Sequence, residues 1–181
     1  MAGQIRQEAW VSAEGQTQAH TVRVVLSHPG KLNAMSRDMW RALRSVFESL
    51  QRNPDVRCIV IEGKGDAFCA GGDISEYERF RFAPDTLAAF HEGEVWAGLD
   101  AMLRCDIPII AAIRGACMGA GVEIASCCDI RIAAANARFG APIAKLGFPM
   151  APREAALVAS QVGVMKARQM LLEAAVFGAA E

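Results

Sequence analysis

The chain has little that could hold a metal, a membrane or a nucleic acid. Its only histidines, His20, His28 and His91, are scattered and make no ligand spacing with cysteines or acids. No basic block interleaves with aromatics, and the formal net charge is −1, so no nucleic-acid partner is expected. No uninterrupted apolar run reaches membrane-spanning length; the longest candidate, from Ile107 to Ile113, is bounded by Asp106 and Arg114. The opening MAGQIRQEAW has no apolar core of the kind a secretory signal needs. The cysteines at 58, 69, 105, 117, 127 and 128 form no Cys-x-x-Cys pair and mostly sit inside apolar patterns. They read as reduced, buried thiols. The expectation is a soluble cytoplasmic protein with no metal site and no membrane partner.

What is present is a globular balance: 52% hydrophobic and 22% charged over 181 residues, enough for one domain spanning 1–181 with a substantial core. Two short strands, about Ile5 to Val11 and Ala19 to Leu26, flank the polar turn Ser-Ala-Glu-Gly-Gln. Ser36 is a suitable N-cap for a helix whose apolar stripe is Met39, Leu43, Val46, Phe47 and Leu50. Asn53-Pro54 ends it, and Val56 to Ile61 reads as a buried strand. Positions 75–104 read as helical with an interruption at Pro84, and Ile107 to Ile113 as a second buried strand. A helix from Ala120 to Cys127 and a strand from Asp129 to Ala133 follow, and the remainder from Pro152 reads as mostly helical. This alternation predicts an α/β layered fold. The last pattern on the chain is an amphipathic stretch from Val164 to Ala174, followed by Phe177-Gly178-Ala179-Ala180-Glu181.

Two glycine-rich turns carry the chemistry: AFCAGGDI at 67–74 and GACMGAGVE at 115–123. Each follows an apolar strand and exposes backbone to close approach. Two such turns could aim two N–H groups at one oxygen, the requirement for holding an oxyanion. Gly115, Gly119 and Gly121 are in the wrong order for a dinucleotide fingerprint, and no Gly-Lys-Ser/Thr closes a phosphate loop. Close strand–helix packing alone is the competing explanation. Glu123 sits in an otherwise apolar helix start, between Val122 and Ile124. Burial raises its pKa and the helix N-terminus lowers it, a balance suited to proton transfer. A salt bridge or cap in the first turn is the competing role.

These stretches, in order with Lys31-Leu32-Asn33-Ala34-Met35, Ile107 through Gly115, Cys128-Asp129-Ile130-Arg131-Ile132-Ala133 and Ala137-Arg138-Phe139-Gly140, resemble the crotonase (enoyl-CoA hydratase/isomerase) superfamily over nearly the whole chain. The resemblance implies a crotonase-like spiral of repeated ββα units. It implies an acyl-CoA thioester as partner, with coenzyme A as part of the substrate and no other cofactor. It also implies a C-terminal helical trimerisation region, of which no equivalent is recognised, and with that region a homo-oligomer. By position it implies Gly72 and Ala120 as oxyanion donors and Glu123 as acid/base. Leu32, Asn33, Ala34, Ala70, Gly72, Asp73, Ile74, Ser75, Gly119, Ala120 and Ile143 are the implied substrate-binding positions. Hydratases of this family carry a second glutamate where this chain has Ile143. Glu92, Glu94 and Glu154 are the acids that could substitute, each expected at the surface. The expected activity is hydration of a 2-enoyl-CoA. The alternatives are isomerisation with Glu123 as sole proton shuttle, or acyl-CoA binding with little catalysis.

Overall fold

A computed structural model describes residues 2–12, 14–147 and 149–181, with Arg79 described by its backbone alone. The first sheet is built by chain order. Strands β1 (Gln4–Val11) and β2 (Thr17–Ser27) form the opening antiparallel hairpin. Strands β3 (Cys58–Gly63), β4 (Ile109–Ile113) and β6 (Ile130–Ala133) then add in parallel, in the order β1-β2-β3-β4-β6. Parallel neighbours need crossovers, and helices supply them. Between β2 and β3 runs α1 (Arg37–Gln51), capped by Ser36, whose hydroxyl accepts from Met39 N. All five stripe residues of α1 are buried, and so is Trp40 beside them. With Leu26, Ile59, Ile61 and Ile109 of the sheet, Leu43 and Phe47 of α1 and Leu99 and Met102 behind them make one core.

A second, smaller sheet gives the chain its spiral. Strand β5 (Ala116–Met118) pairs in parallel with β7 (Arg138–Gly140), and β7 pairs antiparallel with β8 (Val176–Gly178). The chain runs β4, β5, α4 (Ala120–Ser126), then β6, β7, α5 (Ile143–Leu146). Each repeat gives one strand to the large sheet, one to the small sheet, and then a helix. The earlier repeat enters the small sheet through a single bridge, Cys69 beside Cys117, after β3. This is the ββα spiral of a crotonase-like α/β fold.

Several boundaries differ from the sequence reading. The region 75–104 divides into a 3₁₀ segment (Ile74–Arg79), α2 (Pro84–Phe90), a π-helical turn (His91–Trp96) and α3 (Ala97–Leu103). Pro84 begins α2 rather than interrupting a helix, because a first-turn residue needs no N–H. Strand β4 starts at Ile109, after Pro108, which has no donor for the ladder. Beyond residue 151 come α6 (Pro152–Val162) and α7 (Val164–Leu172), packed on each other, and α6 packs on α4. The stretch after 160 is therefore structured to Gly178, ending in β8 rather than in further helix. No helix among the described residues is long and apolar enough to cross a membrane.

Candidate active site

The two glycine turns lie side by side. Cys69 N donates to Ala116 O at 2.9 Å, and Met118 N donates back to Cys69 O at 2.8 Å. On the outer side, Met35 N donates to Gly71 O and Asp73 N to Met35 O, both at 2.8 Å. Gly119 N donates to Gly140 O at 2.8 Å. The donors of Met118, Gly119 and Asp73 are thus spent on the scaffold, while the N–H groups of Gly72 and Ala120 have no protein acceptor among the described residues. Both residues line a cavity of about 360 Å³.

Two glycines make this approach possible. Gly119 has φ +47°, which an L side chain rarely adopts, and this turns the chain from β5 into α4. At Gly121 a Cβ would lie 2.6 Å from Cys69 O. Gly121→Ala gains about 1 kcal/mol of helix propensity but loses about 1–3 kcal/mol to overpacking against rigid backbone. The net expectation is a lower unfolding midpoint by calorimetry, together with weaker turnover as the two turns move apart. An unchanged midpoint would show that the turns are not in enforced contact.

Inside the cavity the chemistry is concentrated on two carboxyl groups. Glu123, one turn into α4, is 8% exposed. Burial, and then the charge of Glu154, push its pKa up to about 8. Glu154, in the first turn of α6, is 2% exposed and lines the same cavity. Its Oε1 lies 3.3 Å from His91 Nδ1. His91 opens the π-helical turn, and this widened turn presents His91 and Val95 to the cavity together. Tyr77 completes the wall: its hydroxyl stands where a side chain at Gly72 would collide with it. Burial pushes the Tyr77 pKa well above the usual phenol value, so it stays a neutral donor.

The other two candidate acids are committed elsewhere. Glu94 is held by the guanidinium groups of Arg37 and Arg41. Glu92 is exposed and pairs with Arg153 at 3.0 Å. The expectation that all three sit at the surface therefore fails for Glu154, which is buried, and for Glu94, which is largely covered.

Of the positions singled out from the sequence, Ala70, Gly72, Ile74, Gly119, Ala120, Glu123 and Ile143 meet at this cavity. Leu32, Asn33, Ala34, Asp73 and Ser75 do not line it. Ala70 N donates to Leu32 O at 3.0 Å, so the loop that carries Leu32 runs beside the first turn. Leu32 and Ile74 are 60% and 58% exposed. The Asn33 side chain is spent on structure: its Nδ2 donates to Lys64 O and Ala67 O, and its Oδ1 accepts from His28 N. Asp73 caps the 3₁₀ segment through Ser75 and takes a hydrogen bond from Lys31 Nζ at 2.6 Å. Burial alone would raise the pKa of Asp73; the bonds from Lys31 and Ser75 outweigh it and hold the carboxyl below its usual range. Pro149, Met150 and Ala151 also line the cavity; Phe148 lies outside the described residues. The cysteines are all free thiols; burial pushes Cys69 and Cys128 up to about 12.

The arrangement has close counterparts. A family model described as enoyl-CoA hydratase/isomerase matches residues 16–181. The mevalonyl-coenzyme A hydratase SIDH of Beauveria bassiana is 34% identical over 169 residues, covering 91% of this chain and 60% of that protein. The mitochondrial Delta(3,5)-Delta(2,4)-dienoyl-CoA isomerase of Homo sapiens is 33% identical over 135 residues, covering 67% and 40%. The crystal structure of an enoyl-CoA hydratase/carnithine racemase from Magnetospirillum magneticum superposes with a TM-score of 0.87 at 34% identity, covering 90% of this chain and 61% of that one. The chain spans about three fifths of the length of the curated relatives it matches first. With the linked motifs, the ββα spiral and the family model agreeing over most of its length, this chain belongs to the enoyl-CoA hydratase/isomerase family.

Proposed function

We propose that this protein adds water to a 2-enoyl-CoA thioester. The observation that carries this reading is the pair of unspent N–H groups, Gly72 and Ala120, facing an apolar cavity that also holds Glu123. The thioester oxygen would accept from both. As water attacks the β-carbon, the π electrons move onto that oxygen, and the enolate so formed is held by the two donors. One donor of this kind is typically worth about 10²–10³ in rate. Glu123 exchanges the proton at the α-carbon. In this reading the pantetheine and adenine run past Leu32, Ala34, Ala70, Asp73, Ile74 and Ser75, with Leu32 and Ile74 offering exposed apolar faces. Asn33 contributes by holding that loop in shape.

Coenzyme A is part of the substrate in this reading, and no further cofactor is required. Cytoplasmic fatty-acid metabolism and a homo-oligomeric state, a trimer or dimer of trimers, follow from the family resemblance; light scattering of the purified protein tests the latter. Crotonyl-CoA is the direct probe of activity: its enoyl-thioester absorbance falls as water adds. A second reading, isomerisation of a 3-enoyl-CoA by Glu123 alone, is favoured by the apolar Ile143 in the cavity wall. A 3-enoyl-CoA converted to its 2-enoyl isomer, with crotonyl-CoA untouched, would select it. Tight calorimetric binding of a non-reactive acyl-CoA with neither turnover would leave a binding protein.

A further inference from the structure

The cavity contains one more titratable pair than the single-glutamate reading uses. Glu154 is a costly group to bury: a carboxylate out of water is unfavourable unless it is compensated or used. Its adjacent cation does not compensate it. Arg153 turns outward, pairing with Glu92 at 3.0 Å and lying over the Trp96 ring at 5.4 Å. The groups that face Glu154 are Glu123 from α4 and His91 from the π-helical turn, with Tyr77 on the same cavity wall. The neighbouring carboxyl, Glu123, offers no opposite charge, and the hydrogen-bond partner is a histidine, which both gives and takes protons. Among the described residues, Glu123 and Glu154 are the only acids that line the cavity, and Ile143 is apolar.

We propose that Glu154, oriented by His91, is the second proton-transfer group of this site, taking a proton from the water that adds to the substrate's β-carbon. The proposal rests on the hydratase reading above. The water O–H bond breaks toward Glu154 while the water oxygen bonds to the β-carbon. The α-carbon then takes its proton from Glu123, and the enolate electrons close the new α C–H bond. One proton has entered at Glu154 and one has left at Glu123, and exchange with solvent restores both. Glu123 enters this cycle as the acid, in keeping with its raised pKa. His91 is a positioning residue, fixing the carboxylate through Nδ1.

The test compares wild type, Glu154→Gln and Glu154→Asp with crotonyl-CoA. Three readouts are taken: hydration rate across pH, calorimetric affinity for butyryl-CoA, and wash-out of α-deuterium from butyryl-CoA, which needs Glu123 but not the water-activating group. Glu154→Gln is expected to lower kcat about 10²-fold, with KM, butyryl-CoA affinity and α-exchange retained. Its high-pH limb moves to lower pH, because the like charge beside Glu123 is gone. Glu154→Asp recovers part of the rate. Wild-type kcat and an unmoved pH profile in Glu154→Gln would overturn this proposal while leaving the hydratase reading intact. Loss of binding and exchange along with turnover would assign Glu154 a structural role and equally overturn it. A wild type that binds butyryl-CoA but hydrates nothing overturns the hydratase reading, and this proposal with it.

Discussion

Replacing Glu123 by glutamine lowers turnover of crotonyl-CoA by about 10³–10⁴-fold, the upper part of the range for positioned acid–base groups. Glutamine keeps the shape and volume of the side chain, so the cavity and its affinity for butyryl-CoA persist; only proton transfer is lost. The wild-type rate falls as pH rises through about 8, where the acid form of Glu123 is titrated away. The same variant changes stability in a fixed direction. An unfolded glutamate titrates near 4.5, whereas burial and Glu154 hold the folded one at about 8. Between these values the folded protein keeps a proton that the unfolded chain has released. The contribution is fully present below about pH 4.5 and is lost as pH rises through 8. Within that window the loss is about 1.4 kcal/mol for each step of one in pH. Urea unfolding at about pH 5 and pH 9 should therefore show wild type losing several kcal/mol more than Glu123→Gln across that interval. Wild-type turnover in the variant would remove Glu123 from the chemistry, and parallel pH curves would remove the buried proton.

Much of this was legible because local rules and tertiary packing agree. The strands β3 and β4 read as buried apolar runs because parallel strands are covered on both faces. The α1 stripe and its Ser36 cap follow from helical spacing. The glycine turns announce themselves because Gly121 must clear Cys69 O. What was hidden depends on contacts distant in sequence. β5, β7 and β8 are three residues each, too short to show an alternation. The π-helical turn that delivers His91 has no signature of its own. Glu154 follows Pro152 at a helix start, where an acid ordinarily faces water. A signal did exist there: Val158, one turn on, is fully buried, so the face that carries Glu154 is the inward one. Glu123 is placed by its apolar flanks, Val122 and Ile124; Glu154, which follows Arg153, needs the i, i+4 spacing to Val158 instead.

Ala120→Pro isolates one backbone donor, which side-chain substitutions cannot do. Ala120 is the first residue of α4, where a helix leaves its N–H unbonded and tolerates proline best. The usual objection to proline, its clash with the preceding Cβ, does not arise, because residue 119 is glycine. The substitution therefore removes a single N–H from the cavity wall and leaves the α4 hydrogen bonds in place. Turnover of crotonyl-CoA should fall about 10²–10³-fold, chiefly in kcat, because the donor is needed most when charge gathers on the thioester oxygen. The α-deuterium wash-out from butyryl-CoA should fall in parallel, since it passes through the same enolate. A loss confined to KM would mean that the proline ring merely obstructs the thioester. Unchanged kcat and exchange would leave the oxygen to Gly72 alone. In that case the contact between the two turns would serve packing, the competing explanation that the sequence alone could not dismiss.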